Sequence, residues 1–179
     1  MNVSLAYLKS VEANFKSMKK LAEGAIAQLN FDELHFSPNE ESNSVAIIIK
    51  HLSGNMISRF TDFLTTDGEK PNRNRDGEFE GSFSSKEHLL EIWEIGWETL
   101  FQTLSELKEE DVLKTVLIRG EPHFVMDALQ RQVSHYSYHI GQIVYLGKMV
   151  KNEKWSSLSI PRNHSSKFND MMLEKNKHS

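Results

Sequence analysis

Four segments of this chain carry their apolar residues at alternating spacings of three and four, and that periodicity limits the fold more than any other feature. In the first, Ser4 to Leu29, a single stripe runs through Leu8, Val11, Phe15, Met18, Ala22, Ala25 and Leu29, with Asn30 as a stop. The second runs from Ser44 to Leu64 through Val45, Ile49, Leu52, Met56, Phe60 and Phe63, with Asn43 or Ser44 as N-cap. The third, Ser85 to Leu107, follows the S-x-x-E spacing of Ser84 and Glu87 and presents Leu89, Trp93, Gly96, Leu100, Leu104 and Leu107. The fourth, Met126 to Val150, presents Leu129, Val133, Tyr136, Ile140, Ile143 and Val144. Four amphipathic helices of this length predict an all-α four-helix bundle. Between the last two, TVLI, RGEP and HFV predict a short β-hairpin.

A chain of 179 residues is expected to form one domain, with the bundle over 1–150 and a polar extension over 151–179. In the extension only Trp155 to Pro161 and Phe168 look able to dock, and the last residues should fray. Residues 65–84 make a long irregular connection with glycines, a proline and charges of both signs. The net charge of −4 argues against nucleic-acid binding through bulk positive charge. The absence of cysteine excludes disulfides, Cys-ligated metal centres and a thiol nucleophile on the chain itself. With no apolar run of membrane-spanning length and no apolar stretch near the N-terminus, the expectation is a cytoplasmic protein that neither enters a membrane nor carries a secretory signal.

His135 and His139 stand four apart on the fourth helix, so both imidazoles lie on one face and can share a metal ion. Chance alone supplies about 0.35 such pairs in a chain with this many histidines, so spacing is not enough. The surroundings add to it. Arg131, Gln132, His135, Tyr138, His139 and Gln142 form a polar stripe beside the apolar face, and buried polar groups require partners. His51 is the natural third ligand, mid-helix between Ile47 and Ile48 one turn before and Asn55 one turn after. Three histidines with an open fourth position describe a catalytic metal site. The alternative for each is an interior histidine held by hydrogen bonds. The remaining histidines, His35, His88, His123, His164 and His178, lack ligand spacing, with His123 in reserve.

The segment HYSYHIGQIVYLGK resembles the last-helix motif H-x-x-x-H-x-G-Q-I of the DinB/YfiT-like superfamily of metalloenzymes, and the histidine in IIIKHLSGNM matches that family's first ligand. PNEESNS is similar to the family's run before that helix, while RNRDGEF and SLSIPRNHSSKFN resemble a Bacillus-type subfamily of unassigned activity. The likeness covers residues 1–170. It implies a bundle of this type, a metal triad of His51, His135 and His139, and a homodimer. It also implies thiol chemistry, since some members are S-transferases using bacillithiol, mycothiol or glutathione and others are thiol-dependent isomerases.

The expected function is that of a divalent-metal enzyme, with zinc or nickel, acting on a small molecule as a bacillithiol-type S-transferase. The metal would present the thiolate of a low-molecular-weight thiol to an electrophile. Gln142 and Arg131 lie on the ligand stripe and Asn55 one turn beyond His51, positioned to orient ligands or substrate. Arg73, Arg75, Asp76 and Glu78 are read as covering the cleft from the long loop and binding an anionic substrate or thiol. The bland alternative for them is a solvated charge run. One competing reading is a hydrolase that activates water, with Asp76 or Glu78 as base. Another is a non-enzymatic, metal-stabilised dimeric binding module. No catalytic residue beyond the triad is assigned.

Overall fold

Each apolar stripe becomes a helix in the computed structural model, which describes residues 2–177. The order is α1 (Val3–Ala27), a one-turn α2 (Phe31–Leu34), α3 (Val45–Phe60), α4 (Lys86–Glu106), the strands β1 (Thr115–Ile118) and β2 (Glu121–Phe124), α5 (Val125–Lys151) and α6 (Ser165–Asn176). The pairs α3/α4 and α1/α5 pack together, and α3 against α5 joins them. This is the expected all-α bundle with its hairpin before the last long helix. At its centre Phe15 of α1, Trp97 of α4 and Tyr136 of α5, all fully buried, meet ring to ring with centroids 5.7–6.4 Å apart. Among the described residues no helix is long and apolar enough to cross a membrane.

The helix ends differ from the expectations for local reasons. Asn30 does not stop α1; it caps α2, accepting from the Glu33 N–H while the Glu33 carboxylate accepts from its own. The cap of α4 is Ser85, which accepts from His88 N, one residue later than the Ser84 spacing suggested. Helix α3 ends at Phe60 rather than Leu64, where Thr61 becomes extended and Asp62 takes a φ of 48°. That turn sends the long loop back along α3 towards the hairpin. There Asp67 accepts from the backbone N–H groups of Arg119 and Gly120, and Gly68 N donates to Leu117 O. Positive φ at both Arg119 and Gly120 suits a two-residue hairpin tip.

In the tail, Trp155 and Leu158 pack on the core against Gly147 and Gly24. Phe168 does not dock as expected; it remains 37% exposed on α6, a helix that polar composition concealed. His178 lies outside the described residues.

Helices α3 and α4 approach most closely at Gly96, where a Cβ would stand 2.9 Å from the Cα of Ser53. The backbone cannot yield there as a side-chain tip would. Gly96→Ala gains about 1 kcal/mol in helix propensity but is expected to lose about 1–3 kcal/mol to overpacking. Urea denaturation should show a lower midpoint at unchanged slope. A variant about 1 kcal/mol more stable than the parent, showing the helix-propensity gain unopposed, would refute the close approach.

Candidate metal centre

Two rows of side chains face one another across the α3/α5 contact. On α3 the row is His51, Asn55 and Arg59, at i, i+4 and i+8. On α5 it is Arg131, His135 and His139, with the same spacing. Both rows line a cleft of about 460 Å3. Within it one ring nitrogen from each of His51, His135 and His139 lies within 4.8 Å of the other two. His51 and His139 are buried and His135 is half-buried. The Nε2 atoms of His51 and His135 are 3.2 Å apart. Nitrogens bound to a tetrahedral zinc at 2.0–2.1 Å stand roughly 3.4 Å apart.

What holds the rings decides how they can act. His51 Nδ1 is 2.9 Å from Glu78 Oε2, His139 Nδ1 is 2.8 Å from Gln142 Oε1, and His135 Nδ1 is 3.4 Å from Gln132 Oε1. A carboxylate or amide oxygen only accepts, so each Nδ1 carries the proton and donates. In the neutral rings every Nε2 therefore holds a lone pair. Two lone pairs 3.2 Å apart repel unless a cation lies between them. His135 and His139 do not supply it as a proton at neutral pH. Burial first, and then the neighbouring histidines, Arg59 and Arg73, bring His135 down to about 3. Burial first, opposed by the Gln142 hydrogen bond, brings His139 down to about 4. The three side chains fit a divalent cation, with outer partners that fix each ring as metal sites require.

Glu78 reaches the site through a 3-10 turn, Asp76–Phe79, laid on α3. Gly54 permits this, because a Cβ there would collide with the Glu78 carboxylate. Arg73 grips the same carboxylate with two donors, Nε to Oε1 at 2.7 Å and Nη2 to Oε2 at 2.8 Å. Burial alone would raise the Glu78 pKa, but hydrogen bonds from His51 and Arg73 hold it below the ordinary carboxylate value. Phe79 lies against the His51 ring with centroids 4.8 Å apart, and the Arg75 guanidinium stands 5.4 Å from the Phe79 ring centroid.

Of the residues singled out from sequence, His51, Asn55, Arg73, Arg75, Arg131, His135 and His139 all line this cleft. Asn55 also accepts from the buried Tyr136 hydroxyl, linking the site to the aromatic core. Glu78 stands behind His51 rather than in the cleft, and Gln142 behind His139, facing an adjoining groove. Asp76 does not line the cleft. His123 stands outside the cluster, near Glu121 on the hairpin. Tyr138, a member of the polar stripe, is 56% exposed at the rim, with its ring centroid 4.4 Å from that of His139. Gly141 has no atom within 4 Å of where its Cβ would stand and lines the adjoining groove.

The structure adds Gln132, Arg59, Glu69 and Arg119. Gln132 was legible: it precedes His135 by three as Gln142 follows His139 by three, one helical face in each case. Arg59 completes the i, i+4, i+8 row from His51. Glu69 gathers Arg59, Arg73 and Arg119, a contact no local pattern announces.

A family model described as Protein of unknown function (DUF1572) matches residues 2–164. No curated protein matches the chain.

Proposed function

This chain belongs to the DUF1572 family, which is DinB/YfiT-like, and from that premise we propose that it is a divalent-metal-dependent enzyme of the thiol S-transferase kind. The observation that carries the proposal is the set of three histidines whose Nδ1 atoms are all engaged, leaving Nε2 lone pairs crowded beside an open cleft. His51, His135 and His139 would hold the ion, zinc or nickel, while Glu78, Gln132 and Gln142 keep their rings in register. A bound divalent cation lowers the pKa of a thiol or water beside it, so that the nucleophile forms at neutral pH.

Two features favour a thiol over water. No carboxylate is among the cleft-lining residues, so an activated water would act without a carboxylate base beside it. Glu78, the nearest acidic group described, has both oxygens engaged by His51 and Arg73. A thiol, with its ordinary pKa of about 8.5, loses its proton without such help. A purely structural site would be closed by a fourth protein ligand. Among the described residues the cluster contains three, and it opens on a cleft sized for a small molecule.

The test mixes metal-loaded protein with bacillithiol, or glutathione in a parallel arm, and a series of chromogenic electrophiles. A thiol-dependent rate at least about tenfold above the metal-free control is expected. No rate with any electrophile would reject the transferase reading.

A further inference from the structure

We propose that the cleft carries a built oxyanion subsite, formed by Arg59 of α3 with Arg131 of α5, which receives a phosphoryl or carboxylate group of the substrate. Arg59 is 4% exposed and lines the cleft, yet it makes no hydrogen bond among the described residues. Its Nε and Nη1 have no partner, and Nη2 sees only Glu69 Oε2 at 3.7 Å. A buried guanidinium held this way is costly unless something else completes its donors. Burial above all lowers its pKa, with Glu69 opposing and Arg73 and Arg131 adding to the effect.

The neighbours make an anion the fitting occupant. Five arginines line the cleft, and the carboxylates that balance them are Glu69 and Glu78, both behind its wall. Five against two leaves three positive charges in excess, in a chain whose net charge is −4. Such a local field draws anions into a concave site. Arg73 and Arg119 are paired with these carboxylates and Arg75 rests on Phe79. Arg131, like Arg75, has no hydrogen bond or ion pair among the described residues, and it lies close enough to Arg59 for their charges to interact, so these two have donors to give at one place. The planar donor fork of arginine matches the paired oxygens of phosphate and carboxylate.

The helix rows also set the reach. Arg131 precedes His135 by four residues and Arg59 follows His51 by eight, so they lie roughly 6 and 12 Å along their helices from those histidines. A substrate of this length would carry its reacting atom at one end and its anionic group at the other. This substrate class rests on the metal-dependent activity proposed above; the oxyanion subsite itself does not.

The test titrates inorganic phosphate and, separately, malonate into metal-loaded and chelator-treated protein by calorimetry at low salt. Binding with a Kd on the order of 1 mM is expected in both forms, weakening as salt rises. Preference for one anion identifies the group received. Arg131→Ala and Arg59→Gln should each weaken binding at least about tenfold, while Arg162→Ala in the tail should not. If Arg59→Gln fails to fold by its melting curve, Arg131→Ala on an exposed side chain carries the test. Binding that persists in chelated protein but not in Arg131→Ala supports the subsite even where no metal is taken up. Metal uptake without anion binding, or anion binding unchanged in Arg131→Ala, overturns the subsite and leaves the metal reading standing.

Discussion

Replacing His139 by alanine is expected to abolish stoichiometric metal binding while the chain remains helical. The residue sits in the interior of α5, where alanine is the best helix former, so the backbone has no reason to change. The loss falls on the site. The cluster offers three nitrogens among the described residues and has no fourth protein group in reserve. Removing an outer partner of a metal ligand already costs about 10–100-fold in affinity, so removing a ligand should cost at least about 100-fold. Elemental analysis after dialysis should fall from near one zinc or nickel per chain to background. Added metal is expected to raise the melting temperature of the parent and to leave that of the variant unchanged. Far-ultraviolet circular dichroism should be unchanged. A variant that kept its full metal content would reject the triad.

The elements whose stability is local or periodic were open to reading from the sequence, and the contacts that close long loops were not. Leu8 to Leu29 shows its helix because the stripe repeats for many turns. Helix α6 escaped because its apolar residues Phe168, Met171 and Met172 span little more than one turn, too short a stripe to read as a helix, and they stay exposed in the structure. The same division holds in the site. His135 and His139 announce themselves by spacing, and His51 by a polar row inside an apolar helix. The role of Glu78 depends on Gly54 leaving room for a loop 24 residues further on, which no local pattern encodes. Likewise Asp67 finds the Arg119 and Gly120 amides across more than fifty residues. Sequence therefore supplied the candidate ligands and, by spacing along α5, the Gln132 and Gln142 partners of two of them, while the contact of Glu78 with His51 came from tertiary closure.

Glu78 is where that closure can be measured. Glu78→Ala is expected to destabilise the fold by about 1–3 kcal/mol, because the nearly buried Arg73 loses its two-donor partner and keeps only Glu69. It should also lower metal affinity about 10–100-fold, since the His51 Nδ1–H loses its acceptor and the ring its fixed orientation. The two losses have different origins and can be separated. In the double variant Arg73→Met with Glu78→Met, no charge is stranded and the volume is largely kept, so stability should recover towards the parent. Metal affinity should stay low, because a methionine sulfur is only a weak, uncharged acceptor for His51 in place of the carboxylate. Urea midpoints would read the first quantity and metal titration the second. If Glu78→Ala bound metal as tightly as the parent, the carboxylate would be a structural clamp for Arg73 and no more. If the double variant regained affinity along with stability, the effect of Glu78 on the metal would run through the fold and not through the orientation of His51.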